Sequence, residues 1–225
     1  MNKSVSILAS ILAVTGIVLM VLGVGILLYV PATWVWGWYD QRGLTSSFEQ
    51  ESAAALTLNK DVLDKLKGQA DTEKLRQLAI LTKSRLTSEQ TIARIEIPKI
   101  GVNAIVVEGT TEASLRKGPG HLEETPLPGM GGNFGLAGDR VLYGGPFLNL
   151  DEVGEGDELT LRTSYGIFKY VIVGSHITVP EDVSDLQPQG YESITLITCD
   201  PPWDTSHRLI VKGRLTSGTL VEDQP

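Results

Sequence analysis

The stretch "ITLITCDPPWDTSHRLIV", residues 194–211, contains the only cysteine of the chain, Cys199. It begins with a run of β-forming residues, "ITLIT", continues through a turn that starts at Pro201 and Pro202, and enters a second run, "RLIV". Two such runs on either side of a turn are typical of antiparallel strands. The pattern therefore predicts a hairpin in which Cys199 ends one strand, Arg208 opens the next, and the two side chains lie side by side.

The chemistry of this pair depends on what the thiol contacts. A cysteine becomes a nucleophile when a neighbouring cation or imidazole lowers the pKa of its thiol. A guanidinium beside it can stabilise a thiolate or an oxyanion, so Cys199 and Arg208 form a candidate catalytic pair. A buried structural cysteine and a surface arginine are the alternative, and the spacing alone favours neither. The single cysteine excludes a disulfide within the chain.

Further runs of β-forming residues surround the hairpin and predict a mostly β domain over residues 92–216. The candidate strands are "RIEIP", "AIVVEG", "ELTLRT", "IFKYVIVG", "ITLIT" and "RLIVKGRL". Turn signals such as "LPGMGGN", "EGDE" and "QPQG" separate them. Many short strands joined by turns are typical of a closed or sandwich-like β domain. Residues 217–225 are expected to form a flexible tail.

The N-terminal segment has the composition of a membrane anchor. No charged residue occurs from Ser4 to Tyr39, and the apolar run over residues 5–31 is long enough to cross a hydrocarbon core of about 30 Å as a helix. The aromatic residues of "TWVWGWY" follow, as in an aromatic belt at a membrane interface. A cleaved signal peptide is the alternative, but its apolar region is normally shorter, and "PATWVW" is a poor cleavage site. An uncleaved transmembrane helix is therefore favoured.

The segments on either side of this helix predict its topology. Lys3 lies in the short segment 1–4 and gives a positive-inside bias, which places the N-terminus in the cytoplasm and the remainder of the chain outside. Residues 32–91 are rich in helix formers with apolar residues at helical spacing, and they predict a juxtamembrane helical stalk. No heptad pattern continues for three turns, which favours a stalk over a dimerising coiled coil. The protein is expected to cross the cell membrane once.

The charge of the chain limits its partners. Asp and Glu number 27 against 19 Lys and Arg, for a net charge of −8. Nucleic-acid binding needs basic patches, so this balance argues against it. No cofactor and no metal site is predicted. Glu181, Asp182 and Asp185 precede the strand of Cys199, and a charged solvated loop is the favoured interpretation of these acids.

The hairpin motif "TLITC…HRLIVKGRL" resembles the signature of sortases, the membrane-anchored cysteine transpeptidases of mainly Gram-positive bacteria. "IARIEIPKIGVNAIVVEG", "KGPGH" and "LAGDRVLYGGPFLNLDEVGEGDEL" are similar to segments of the same family. The resemblance spans residues 92–216, and "YGGPF" and "TCDPP" are most like classes D and E. It implies a sortase-like closed β-barrel, which agrees with the predicted anchor and stalk.

The resemblance also implies roles for individual residues. Cys199 becomes the nucleophile that attacks the Thr–Gly or Thr–Ala bond of a sorting signal such as LPxTG or LAxTG. Arg208 positions the substrate or stabilises the oxyanion, while Thr198 and His121 belong to the substrate groove. The implied partners are surface proteins or pilins that carry sorting signals, and an acceptor amine from a peptidoglycan precursor or a pilin lysine.

One position departs from the family pattern. The histidine of the family's A-G-H-R segment is Asp139 here. Reference pKa values of cysteine and histidine differ by about 2 units, whereas those of cysteine and aspartate differ by about 4.6 units. A thiolate beside a protonated acid is therefore much rarer with aspartate, unless burial raises the pKa of the carboxyl. From the reference values alone, Asp139→His is expected to raise the population with a thiolate beside a protonated acid by a few hundred-fold.

Three functions remain open from the sequence. The first is a working sortase in which Asp139 or His121 has an adapted role. The second is a catalytically inactive pseudosortase that binds sorting signals or scaffolds the assembly of surface proteins. The third is a membrane-anchored β domain of purely structural role, which the presence of both Cys199 and Arg208 disfavours.

Overall fold

The chain begins with a long helix that combines the predicted anchor and much of the predicted stalk. The computed structural model describes residues 3–221, with side chains from Leu12 onward. Helix α1 (Lys3–Lys65) contains 63 residues without a break. The helical segment is interrupted around Gly68, where the backbone takes a φ of +86° that favours glycine. Helix α2 (Asp71–Lys83) follows.

Eight strands close into a barrel, and the predicted closed β-barrel is confirmed. The order around the barrel is β1-β2-β3-β4-β7-β8-β6-β5, and a short helix, α3 (Glu112–Lys117), precedes β3. The strands are β1 (Thr91–Ile97), β2 (Val102–Glu108), β3 (Gly120–His121), β4 (Asn133–Ala137), β5 (Glu158–Thr163), β6 (Gly166–Thr178), β7 (Ser193–Asp200) and β8 (His207–Leu220).

Alternating apolar side chains fill the barrel interior. Strand β5 shows the pattern, since Leu159 and Leu161 are fully buried while their neighbours Glu158 and Arg162 are exposed. Successive side chains of a strand point to opposite faces of the sheet, so one face can pack inward while the other meets solvent. Other side chains with no exposed surface come from six further strands: Ile95, Ile97, Val106, Leu136, Phe168, Tyr170, Ile194, Leu196 and Val211.

The C-terminal boundary of the barrel differs from the expected one. Strand β8 continues to Leu220, which pairs with Gly166 of β6, so the first residues of the predicted tail 217–225 belong to the barrel. The reason is the length of β6, which offers backbone hydrogen-bonding groups along 13 residues. Residues 222–225 lie outside the described residues.

Helix α1 packs along the side of the barrel. Phe48 is only 5% exposed, and Asn59 donates its side-chain amide to the carbonyl of Ser164 at 3.3 Å. The amide of Gln41 makes two bonds to β2, accepting from the N–H of Ile105 at 2.7 Å and donating to its carbonyl at 3.1 Å. The part of α1 from Gln41 to Asn59 therefore contacts the barrel directly.

The strand directions define two ends of the barrel. Strands β1, β4, β6 and β7 finish at one end, and β2, β5 and β8 begin there. Cys199 is the penultimate residue of β7 and Arg208 is the second residue of β8, so both lie at this end. We call it the Cys199 end. The turn between β5 and β6, with Ser164, lies at the opposite end.

Candidate active site

Cys199 and Arg208 are cross-strand neighbours, as the hairpin pattern predicts. They are directly paired in the antiparallel register of β7 and β8, and the Nη1 of Arg208 lies 3.7 Å from the Sγ of Cys199. The same Nη1 donates to the carbonyls of Thr205 and His207, each at 3.0 Å. These two bonds fix the guanidinium beside a half-buried thiol.

The parallel pairing of β4 and β7 leads both chains towards the Cys199 end. Ala137 pairs with Ile197, and the chain beyond β4 stays beside β7. The N–H of Gly138 donates to the carbonyl of Ile197 at 3.0 Å, and Thr198 donates its hydroxyl to the carbonyl of Gly138 at 2.8 Å. Continued two residues beyond the last paired residues, Ala137 and Ile197, this register would set Asp139 opposite Cys199.

Arg140 ties these two segments together. Its Nη1 donates to the carbonyl of Cys199 at 3.2 Å and forms an ion pair with Asp200. Its Nη2 lies 2.8 Å from the Oδ1 of Asp151. The side chain is only 4% exposed, and a buried guanidinium held by two carboxylates is a rigid link. Arg140 is thus a positioning residue that the sequence analysis missed, although its place directly after Asp139 in "AGDR" was a signal.

A family model described as a sortase domain matches residues 95–216. The chain belongs to the sortase family. The matched range includes the hairpin of Cys199 and Arg208. It also includes Asp139, which follows β4.

Two curated sortases show the extent of the similarity. Sortase A of Bacillus anthracis is 30% identical over 148 residues, which covers 64% of this chain and 70% of the relative. Sortase D of Bacillus subtilis is 38% identical over 108 residues, which covers 48% of this chain and 53% of the relative. The chain thus spans about half of the second relative, and both alignments leave part of each chain unmatched.

Solved structures support the likeness to classes D and E. Sortase E from Streptomyces avermitilis has a TM-score of 0.55 and 40% identity, and the match covers 62% of this chain and 97% of that one. A sortase D transpeptidase of Clostridium perfringens has a TM-score of 0.57 and 33% identity, with coverage of 65% and 94%. Each match covers nearly the whole of the solved structure but leaves more than a third of this chain unmatched.

Burial changes the acidity of Asp139 in this sortase. Desolvation is the larger cause and the charge of Glu112 is the smaller one, and together they raise the pKa of the Asp139 carboxyl to about 6. This pKa lies close to the reference value of about 6.5 for histidine. The pKa gap between cysteine and the acid, which is about 4.6 units for an aspartate of ordinary acidity, is therefore much smaller in the folded protein.

The raised pKa of Asp139 has a consequence for stability. Because the folded-state pKa of about 6 lies above the unfolded value of about 3.9, protonation stabilises the fold at low pH, and this contribution is lost as the pH rises through 6. At pH 8, Asp139→Asn is expected to have a free energy of unfolding higher than that of the parent by about 1–2 kcal/mol, after allowance for solvent screening, and therefore to unfold at a higher temperature. Near pH 4 the two proteins are expected to be about equally stable.

Thermal unfolding of both proteins in one detergent, across that pH range, measures this difference. Glu158→Gln, at an exposed carboxylate of β5, serves as the control and should show no such trend. A stability gain for Asp139→Asn that is as large at pH 4 as at pH 8 would contradict the assigned pKa.

His121 lies in the interior and away from any open groove. It is 0% exposed, its Nδ1 is 2.7 Å from the Oε2 of Glu108, and its Nε2 is 2.9 Å from the hydroxyl of Thr125. The ring also stacks on Phe134 with centroids 4.7 Å apart. Both ring nitrogens are thus occupied by buried partners. The strand pairing of β3 turns the His121 side chain inward, and its role in the substrate groove stays a prediction.

Thr198, whose predicted place in the substrate groove stays a prediction, is buried beside the site. Its side chain is 3% exposed, and its hydroxyl binds the backbone of Gly138 at 2.8 Å. Adjacent residues of a strand point to opposite faces of the sheet, so Thr198 and the thiol of Cys199 face different sides. Thr198 is therefore a residue that holds β4 and β7 together at the site.

The two remaining histidines have partners elsewhere. His176 contacts the Oδ2 of Asp185 at 2.8 Å, and the exposed His207 contacts the hydroxyl of Ser206 at 2.9 Å. Among the described residues, the thiol of Cys199 accepts a hydrogen bond from Arg208 and makes none with a histidine.

The acidic loop before β7 is only partly solvated. Asp185 is 6% exposed, forms an ion pair with Lys212 at 2.7 Å and shares a hydrogen bond with His176 at 2.8 Å, so the prediction of a solvated acid is wrong at this position. Its partners lie on β6 and β8, and the sequence around Asp185 does not show that these strands pack against it. Glu181 and Asp182 are exposed. Between residues 12 and 221, no group of three or more His, Cys, Asp or Glu side chains is arranged to hold a metal ion.

Proposed function

We propose that this sortase cleaves an LPxTG- or LAxTG-like sorting signal through a thioester on Cys199. The observation that carries the proposal is the guanidinium of Arg208 at 3.7 Å from the thiol. The thiolate attacks the carbonyl carbon of the scissile peptide bond, the S–C bond forms, and the C–N bond breaks. The departing amine takes a proton from an acid. An acceptor amine then attacks the thioester, gives a proton back to the conjugate base of that acid, and displaces the thiolate to form a new amide.

Asp139 is proposed as the acid that supplies the proton to the leaving amine. With a pKa of about 6, roughly a tenth of the carboxyls are protonated at pH 7. The remaining carboxylates carry a charge that opposes a thiolate at the corresponding position of β7. We therefore propose an active but slow enzyme. A pseudosortase that binds sorting signals without cleaving them is the second candidate, favoured by that carboxylate.

Acyl-enzyme formation tests the chemistry. The full chain in detergent micelles is mixed with a panel of LPxTG- and LAxTG-type peptides, with and without an amine, and the protein mass is measured. We expect a thioester adduct that Cys199→Ala lacks, and an amine-dependent product. Peptide binding without adduct or product, by a protein whose thiol still reacts with iodoacetamide, would instead establish the pseudosortase.

The proposed partners are surface proteins or pilins that carry the sorting signal, with a peptidoglycan precursor or a lysine as the amine donor. The proposed location is the cell membrane, with the N-terminus in the cytoplasm and the barrel outside. Helix α1 supports this location, since it is long and apolar enough to cross a membrane. Its described apolar side chains from Leu12 to Tyr29 are exposed in the structure, so this part is not a core helix.

Protease accessibility tests the topology. Protease added to intact cells stripped of their wall is expected to digest the barrel, because it lies outside in the proposed orientation. Cells permeabilised with detergent provide the control for protease sensitivity. Protection of the barrel in intact cells and digestion after permeabilisation would reverse the orientation.

A further inference from the structure

Helix α1 runs along the barrel from the Cys199 end to the opposite end. Near its membrane segment, the indole Nε1 of Trp34 donates to the carbonyl of Val141, in the loop that follows Asp139, at 2.7 Å. Further along the helix, Asn59 bonds the carbonyl of Ser164 at the opposite end. The apolar segment of the helix precedes Trp34. It therefore extends away from the barrel beyond the Cys199 end.

A close backbone contact fixes this orientation. Gly37 lies against the carbonyl of Tyr143, so closely that a Cβ at position 37 would overlap it. Tyr143 itself has a φ of +53°, and Gly144 beside it has a φ of +87°. The helix and the loop that follows Asp139 therefore fit together at one specific angle. The Cys199 end consequently faces the side from which the membrane segment emerges.

Exposed apolar side chains collect at this same end. Outside α1, the large hydrophobic side chains that the described structure leaves exposed are Ile80, Ile177, Val179, Val183 and Trp203. All except Ile80 lie at the end of β6, in the loop that follows it, or in the turn between β7 and β8. Val183 is 59% exposed and Trp203 is 66% exposed. Exposed apolar side chains in two neighbouring connections indicate a binding surface.

We propose that the Cys199 end of the barrel rests on the lipid bilayer that α1 crosses, with Val179, Val183 and Trp203 in the membrane interface. The proposal rests on the proposed membrane anchoring. A bilayer fits these residues because tryptophan favours the interface and valine favours its apolar side. The exposed carboxylates of Asp182 and Asp204 lie beside the same tips. The contact is therefore apolar and needs no anionic lipid.

Spin labels measure the depth of each position in the bilayer. The full chain with Cys199→Ala is the background, and single cysteines are introduced by Val183→Cys, Trp203→Cys, Leu22→Cys and Thr219→Cys. Leu22 lies in the apolar part of α1, and Thr219 is exposed near the opposite end of the barrel. Each protein is labelled with a nitroxide in phosphatidylcholine nanodiscs. Its collision rates with oxygen and with a water-soluble nickel chelate are then compared.

We expect the labels at 183 and 203 to lose nickel accessibility severalfold relative to the label at 219, and to gain oxygen accessibility. Equal nickel accessibility at 183, 203 and 219, with a lipid-buried label at 22, would overturn the proposal while leaving the anchor intact. A water-exposed label at 22 would instead reject the anchor, and with it the proposal. A third outcome combines two results: full nickel accessibility of the labels at 183 and 203 in nanodiscs, and their immobilisation by a sorting-signal peptide in micelles. It would overturn the proposal and show that these residues contact the substrate.

Discussion

Asp139→His is expected to raise the transpeptidation rate by roughly 10- to 100-fold. The reference pKa of an imidazole, about 6.5, lies close to the value of about 6 for Asp139. The burial that raises the pKa of the carboxyl lowers that of an imidazole, so acidity alone gives little gain. The larger gain comes from charge. A protonated histidine is a cation that stabilises the Cys199 thiolate, whereas a protonated aspartate is neutral and an ionised one repels it. The expected gain is smaller than reference values predict, because burial has already raised the pKa of Asp139.

The rate is measured as amide product from a sorting-signal peptide and an added amine. Asp139→Asn is the matched control, since an amide neither repels a thiolate nor donates a proton as an acid. This variant should alkylate Cys199 faster than the parent at pH 7 but should not gain peptide cleavage. Equal turnover by the parent and Asp139→His would show that the aspartate already performs the full role of the histidine. No turnover by Asp139→His across a panel of peptides would favour a groove that only binds.

Arg208→Ala is expected to lower the rate of acyl-enzyme formation by about 10²–10³-fold, the range typical of a lost oxyanion donor. The Nη1 of Arg208 is held 3.7 Å from the Sγ of Cys199 by carbonyls on its own turn. Removal of the guanidinium takes away both a positive charge beside the thiolate and a donor for the developing oxyanion. Arg208→Lys keeps the charge without the planar fork of donors, so an intermediate loss is expected.

Two measurements separate this role from a structural one. The rate of Cys199 alkylation at pH 7 should fall in Arg208→Ala and recover partly in Arg208→Lys. The unfolding temperature of both variants should stay close to that of the parent, because Arg208 lies at a strand end and its charged group is only partly buried. An unchanged rate of acyl-enzyme formation in a folded Arg208→Ala would remove Arg208 from the mechanism.

The hairpin and the long apolar helix follow from local sequence. Cys199 and Arg208 are nine residues apart, and one turn between two β-forming runs is enough to pair them. The apolar run at the N-terminus specifies a helix by composition, since a long segment without charges has no other stable form in a bilayer. The family signature in the same hairpin identifies the barrel. In each case the interacting groups are close in sequence, or the composition of one segment decides the outcome.

The environment of Asp139 required the tertiary structure. Its strand β4, "NFGLA", was not predicted, because five residues with a glycine among them give a weak β signal. Parallel pairing of β4 with β7 joins segments 60 residues apart in the chain and leads towards Asp139. The pKa of the Asp139 carboxyl rises to about 6 only because the folded protein buries it and places the charge of Glu112 near it. The docking of Trp34 on Val141 and the burial of His121 likewise depend on distant segments. Periodicity and composition specify which elements form, whereas desolvation and contact between remote elements exist only once the barrel has closed.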